Sequence, residues 1–512
     1  MENQNLQYTY AQLDERVFLM DKKDRAFSIL TALLVTPTVS LTLWGGFNIG
    51  FTLSLIAFTL LFGFYLGGKR ALLSPFSVIA LALAVCGFFV YTVSADNTVR
   101  LFLFLPLTLG LFLWLLNISG YEIKDDCSVI SVCISGLHTM FSSIGKSVKS
   151  FFALGGKMGK GMGKALIGIA CAVPAVIVVA ALLRSSDAAF DGLVSKIGNS
   201  FGGFGSTVVK IITGVLCFPL MLSLGLGLSK NKKEQKLMGI KGAVDKIFII
   251  SFLSAISFVY VAYIASQFAY FFSAFRGILP EGITFASYAR RGFFEMTAIA
   301  AINFTLISLA CVLIKKDENQ KQSKLFNGVV VFIAAFTVLL IATAVSKMVL
   351  YIGQFGMTRL RILTSVFMLF LAVLFIAVIL RVFIKRVQIL KTGLIAAMLL
   401  LLILGFADVD KTVARYNLYA YESNLVENLD VNAIGDLGEG AIPTLYEIYS
   451  NKDYDVSLRL AAKKELMKDC EKMYQSEYVD GRTVYTRKRS VGDFNLSRYK
   501  AQRALDRFLG IE

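Results

Sequence analysis

Histidine is nearly missing from this chain: its 512 residues contain one, His138. That excludes His-rich zinc sites and haem held by two histidines. Cysteine is sparse and scattered, at Cys86, Cys127, Cys133, Cys171, Cys217, Cys311 and Cys470, with no close CxxC pair. Most of these lie in apolar stretches and read as small buried hydrophobes rather than metal or redox ligands. Acidic side chains are outnumbered, 35 Asp and Glu against 52 Lys and Arg, for a formal charge of +17. Hydrophobic residues make up 56% of the chain and its mean hydropathy is +0.67, too apolar for disorder and for a nucleic-acid-binding assignment. A cleavable signal peptide is not apparent. The first 26 residues are polar and carry Asp14, Glu15, Arg16, Asp21, Lys22, Lys23, Asp24 and Arg25. The apolar stretch that follows is too long for a signal h-region and reads as a membrane helix. No cofactor is implied by any of these patterns.

What the chain does contain is a series of long apolar runs separated by short stretches of Lys and Arg. Residues 51–66, 165–183, 247–270 and 329–345 stay apolar on every side. A hydrocarbon core roughly 30 Å thick demands this, because each backbone amide must be satisfied inside its own helix. The reading is an all-α polytopic membrane protein with about eleven spans, near 27–47, 49–66, 75–93, 101–118, 165–183, 207–228, 247–270, 292–314, 326–345, 362–380 and 392–406. Segment 127–152 is ambiguous: Ser, Gly and His138 dilute it, and Lys146 and Lys149 close it. An amphipathic or re-entrant segment on the surface is one reading, and a twelfth span the alternative. Within the basic Gly/Lys loop 146–164, residues 155–164 are GGKMGKGMGK; the GxxxxGK[ST] order of a phosphate-binding loop is absent there, so a lipid-facing connector is expected.

Charge sets the expected orientation. With the N-terminus inside, the basic groups at 22–25, 69–70, 146–164, 230–241, 315–324 and 381–391 all fall in the cytoplasm, while 48, 94–98 and 185–206 carry few positive charges. Anionic lipid headgroups are the expected partners of these Lys/Arg segments. The organisation is a cytoplasmic segment 1–26, a membrane domain 27–407 and an extramembrane tail 408–512 that eleven spans place outside. In the tail, apolar residues recur at helical spacing over 441–449 and 456–467, and Pro443 fits the opening turn of a helix. A small helical domain with room for a protein partner is expected there.

Three constellations stand out. In YARRGFFE, 288–295, Arg291 and Glu295 are four apart and share a helix face at the start of a span, with Arg290 beside them. A carboxylate entering hydrocarbon is costly unless paired, so Glu295 is expected to meet Arg291 or the arginines of GMTRLR, Arg359 and Arg361. In VARYNL, 413–418, Arg415, Tyr416 and Asn417 follow the last span and are placed to dock the tail on the membrane core. Helix-end packing is the plainer reading for each, and none has catalytic geometry.

These three motifs, in this order and hydrophobic frame, with Asn495-Leu496-Ser497-Arg498 near the end, resemble the bacterial multi-pass proteins grouped as domain of unknown function 4173, related to the 4153 group. The resemblance covers most of the chain. It implies a bacterial cytoplasmic (inner) membrane and a helical C-terminal portion, and brings no reaction with it. Two functional classes follow from the residues. Transport or lipid handling fits the many spans and the polar Asn117, Glu295, Asn303 and Arg359 near them. The alternative is a membrane scaffold or sensor whose tail binds a partner. Enzymatic activity is not supported, since one histidine and no acidic pair on a shared face leave little to catalyse with.

Overall fold

A computed structural model describes residues 18–43, 47–67, 75–121, 126–153, 202–230, 244–275, 293–314, 324–479, 482–487 and 494–511, with positions 179 and 183. The helices before residue 408 are α1 (Lys22–Leu43), α2 (Ile49–Leu66), α3 (Pro75–Val93), α4 (Asn97–Ile118), α5 (Asp126–Ala153), α6 (Gly202–Lys230), α7 (Lys246–Phe275), α8 (Phe293–Leu313), α9 (Lys324–Phe355), α10 (Arg359–Phe383) and α11 (Ile389–Ala407). The tail contributes α12 (Val409–Glu422), α13 (Val431–Gly435), a 3-10 turn Glu439–Ala441, α14 (Ile442–Ser450), α15 (Val456–Met473), strands β1 (Tyr474–Val479) and β2 (Arg482–Arg487), and α16 (Leu496–Leu509).

Among the described residues nine helices are long and apolar enough to cross a bilayer: α2, α3, α4, the Thr213–Lys230 part of α6, the Lys246–Ser266 part of α7, Glu295–Leu313 of α8, α9, α10 and α11. The chain is therefore an all-α polytopic membrane protein. The expected count of eleven is larger by two. One of these, 27–47, falls largely in α1, whose first turn carries Lys22, Lys23, Asp24 and Arg25. The other, 165–183, lies outside the described residues apart from 179 and 183. The ambiguous 127–152 stretch is one helix, α5, and is not among these nine. Thr139, Ser143, Ser147 and Ser150 are buried alongside Val132, Ile144 and Val148, whereas Ile130, Ile134, Leu137 and Phe141 are exposed alongside His138, Ser142 and Lys146. The helix therefore presents a mixed surface on both sides.

The chain divides into two compact units. The first comprises Met1–Thr92, Leu107–Leu237 and Arg489–Phe494. Its helices approach closely through small residues: a Cβ on Gly225 of α6 would lie 2.2 Å from the Phe27 ring of α1, and one on Gly214 would lie 2.7 Å from the Thr36 backbone. These two contacts run α1 and α6 antiparallel. Hydroxyls bridge other helices, Thr52 donating to the Phe88 carbonyl at 2.7 Å and Ser223 to that of Met140.

The second unit comprises Val93–Pro106, Met238–Lys488 and Asn495–Glu512, so the 407/408 boundary lies within it. Helices α7 to α10 share one apolar core, with Leu253, Ile333, Ala334 and Phe375 almost fully enclosed. A polar chain crosses it: Tyr260 Oη donates to Asn303 Oδ1 at 2.5 Å, and Asn303 Nδ2 donates to Thr337 Oγ1 at 2.9 Å. The tail has its own core of Leu418, Ile434, Leu445, Ile448, Leu466 and Leu505. It is not wholly helical, because β1 and β2 form an antiparallel hairpin in which Val479 faces Arg482. Tyr474 and Arg487 of that hairpin both bond Asp506 of α16. Burial and the Asp506 carboxylate push the Tyr474 phenol up.

Candidate functional site

The GMTRLR and VARYNL motifs meet in the second unit. Gly356 ends α9 at φ +72, a left-handed conformation that glycine adopts without penalty. The turn so made presents the Met357 backbone to Asn417 of α12. Met357 N–H donates to Asn417 Oδ1 at 2.7 Å, and Asn417 Nδ2 donates to the Met357 carbonyl at 2.8 Å. A Cβ on Gly356 would stand 2.7 Å from that same amide oxygen. One side chain thus satisfies both polar groups of a peptide that leaves a helix. Thr358 then caps α10, accepting from Arg361 N at 3.3 Å.

Arg359, the first residue of α10, reaches Asp410 in the first turn of α12. Its Nε and Nη2 donate to Asp410 Oδ1 at 2.8 and 2.5 Å. Gly438 N–H supplies Oδ2 at 3.0 Å, and a Cβ on Gly438 would sit 2.4 Å from that oxygen. Asp410 is 2% exposed and Arg359 about a third exposed in its side chain, so the pair is desolvated on the carboxylate side alone. Burial raises the Asp410 carboxyl above the ordinary range; Arg359 opposes this, while the charges of Asp96 and Asp408 add to it.

Asp408 occupies the corner between α11 and α12 at φ 55, a conformation that Asp tolerates better than most residues. It hydrogen-bonds Ser497 of α16, whose hydroxyl also lies 3.1 Å from the Val93 carbonyl. Beside it Asn495 Nδ2 donates to the Ser94 carbonyl at 2.8 Å, 401 positions away in sequence. Asp96 caps α4 through Thr98 N–H at 2.8 Å, and its Oδ2 is buried with no hydrogen-bond partner among the described residues. Arg498 binds Glu439 through Nε at 2.9 and 3.1 Å and Nη2 at 2.7 Å. An apolar cluster of Val99, Leu404, Val409 and Val413 backs the whole arrangement. The result is a charged seam in which the ends of α4, α9, α10 and α11 are joined to the tail.

Several site expectations are redistributed by this geometry. Arg359 and Arg361 do not pair with Glu295. Arg359 is taken by Asp410, and Arg361 donates to the Phe355 carbonyl at 3.0 Å and to that of Gly356 while lying 4.2 Å from the Tyr351 ring. It thereby covers the free carbonyls at the end of α9. Glu295 is exposed. Arg290 and Arg291 lie outside the described residues. Within VARYNL, Asn417 makes the bridging bonds, Arg415 is exposed and Tyr416 is half-buried. Asp96, Asp408, Asp410 and Glu439 were not singled out by sequence. The Asp408-Val409-Asp410 spacing at a span end is their only local signal, and it does not reveal a partner 51 residues back. Among the described residues, no group of three His, Cys, Asp or Glu is placed to hold a metal ion.

A family model described as Domain of unknown function (DUF4153) matches residues 52–448, which include the seam up to Glu439. No curated protein and no solved structure matches the chain.

Proposed function

The chain belongs to the DUF4153 family, and from that premise we propose that it works as a membrane scaffold or sensor, its C-terminal domain reading the position of membrane helix ends and presenting a surface to a protein partner. The observation that carries this is the Arg359–Asp410–Gly438 junction, reinforced by the Asn417 bracket on Met357. A tail that was only tethered would gain nothing from desolvating a carboxylate at its root, whereas a tail that must follow α10 requires a directional joint. A partner would be received on α15, where Val456, Leu460 and Met467 are more than half exposed on the helix that also carries Lys463, Lys464 and Lys468. The motifs YARRGFFE, GMTRLR and VARYNL support a place beside the related 4173 group.

Hydrogen exchange on the full chain in nanodiscs tests the coupling. Asn417→Ala should speed exchange in α12 and also in α14 and α15, which lie further along the tail. A change confined to 409–422 would overturn the reading.

The same proposal keeps the protein in a bacterial cytoplasmic membrane, N-terminus inside, with anionic headgroups at its basic segments. Support comes from within the second unit. The tail touches the turns at 93–97 and 356–358, which the charge pattern places outside, while Lys246, Lys324, Arg381, Lys385 and Arg386 lie at the other ends of their helices. Single cysteines replacing the exposed Lys22 and Lys452 in a cysteine-free chain should be reached from opposite sides; labelling of both from one side would reject the orientation. Gly440 is unsuitable for this purpose, since a Cβ there would meet Asp408 at 2.4 Å.

Transport or lipid handling is the second reading. An apolar cavity among the helices of the first unit favours lipid over a polar solute.

A further inference from the structure

Helices α1, α2, α4 and α6 enclose a cavity of about 270 Å³ in the first unit, lined by Val35, Leu55, Phe62, Trp114, Met221 and Leu224 among others. This exceeds the roughly 150 Å³ of an engineered apolar cavity that stays dry and accepts benzene. Its few polar side chains offer water little: the Thr59 hydroxyl, for example, is donated to the Leu55 carbonyl at 2.7 Å. Three of the enclosing helices are apolar enough to span a bilayer, so hydrocarbon surrounds the site. Leu55, Phe58, Leu111 and Leu115 are half-buried and Met221 is 37% exposed, leaving that wall open among the described residues.

One end of the cavity is charged. Phe62 lies three residues before Tyr65, about 4.5 Å along the helix. Phe27 packs on both rings, edge-on to Phe62 at 5.3 Å and stacked on Tyr65 at 3.9 Å. Tyr65 Oη donates to Asp24 Oδ1 at 2.8 Å, and Lys230 Nζ lies 2.6 Å from Asp24 Oδ2. Lys23 stands 5.9 Å from the Tyr65 ring centre, and Lys22, Lys23 and Arg25 are all exposed. Four basic residues, Lys22, Lys23, Arg25 and Lys230, thus outnumber the two carboxylates Asp24 and exposed Asp21 one helical turn beyond an apolar cavity.

We propose that this site binds one acyl chain of an anionic phospholipid, with the chain in the cavity and the headgroup phosphate held by Lys22, Lys23 and Arg25. The hydrocarbon supplies the fit and the cationic excess supplies the choice of headgroup, since basic side chains at the membrane surface attract anionic lipid. The site uses none of the seam residues and does not rest on the scaffold or sensor reading.

The test uses Trp114, which lines the cavity and is 4% exposed. With Trp44→Phe it is the only tryptophan of two. The full chain in phosphatidylcholine nanodiscs is titrated with brominated-chain phosphatidylglycerol or, separately, brominated-chain phosphatidylcholine. Quenching by the anionic lipid should appear at roughly tenfold lower mole fraction. Cys217→Phe, which fills the cavity, should abolish the difference, and Lys22→Gln/Lys23→Gln/Arg25→Gln should do the same from the headgroup side. Equal quenching by both lipids in the unmodified cavity would overturn the proposal, as would quenching that survives Cys217→Phe. Should Cys217→Phe fail to fold, Thr59→Leu, a milder filling, decides by the same criterion. Tail exchange, unaffected by these variants, keeps the outcome separate from that of the scaffold reading.

Discussion

The first unit and the seam of the second are held by different physics. In the first, helices meet through glycine against rings and hydroxyls against carbonyls, as with Gly225 on Phe27 and Thr52 on Phe88. In the seam, charged and polar contacts bring together segments 28 to 404 positions apart. Between helices in hydrocarbon, burial of apolar surface drives nothing, so shape and short hydrogen bonds decide association. At the helix ends water competes, and a contact there must be directional and partly desolvated to hold. The inner helices are matched by shape, the tail by charge.

Breaking the charge side should have the largest effect. Arg359→Ala leaves Asp410 buried and uncompensated, costing about 3 kcal/mol, the lower end of the range because Arg359 is one-third exposed. Hydrogen exchange of 409–422 and 496–509 should rise sharply while α9 keeps its protection. The effect should shrink on acidification. Asp410 already has a raised proton affinity, so its contribution to stability is full below its unfolded pKa, about 3.9, and is lost as pH rises through the folded value. Without Arg359, burial and the charges of Asp96 and Asp408 are opposed chiefly by the Gly438 N–H, and protonation removes the buried charge. A loss independent of pH would argue that Arg359 acts by packing alone.

Next in size is the shape side. Gly225→Ala should cost about 2 kcal/mol, because the Phe27 ring must leave its stack on Tyr65. Reduced thermal stability in detergent, with tail exchange unchanged, is expected. A smaller effect, about 1.5 kcal/mol, is expected for Asn417→Ala, which removes two hydrogen bonds to Met357 in a half-buried setting. Denaturation by mild detergent titration would register it. Smallest of all, Asn303→Leu should cost about 1.2 kcal/mol, since it removes two interhelical hydrogen bonds of the Tyr260–Asn303–Thr337 chain, each usually worth about 0.6 kcal/mol in hydrocarbon. If Asn303→Leu proved as damaging as Arg359→Ala, the distinction between the two regions would fail.

Much of the architecture is legible in the chain itself. Runs such as 49–66 and 75–93 can only be satisfied as helices in hydrocarbon, and the structure has helices with those bounds, while the run 392–406 lies within the longer helix 389–407. The tail's helices over 442–450 and 456–473 follow their apolar periodicity. The β1–β2 hairpin was signalled too, by Tyr, Val and Thr on either side of Asp480-Gly481, but its strands are short and adjoin a helix pattern that masks the change of period. Arg359 and Asn417 drew attention as polar residues at span ends. Their partners did not, because nothing local distinguishes Asp410 from the many carboxylates of the tail.

The sequence alone determined what is set by transfer from water to hydrocarbon: which segments are apolar enough to span, where basic groups punctuate them, and that the last hundred residues change character. Those properties belong to single segments and add up along the chain. Tertiary structure alone decided the pairings: Arg359 with Asp410 rather than Glu295, Arg361 over the end of its neighbouring helix, and Asn495 and Ser497 on the turn at 93–94. A charge near a helix end is attracted to any opposite charge within reach, and only the packing of the whole unit determines which one stands within 3 Å.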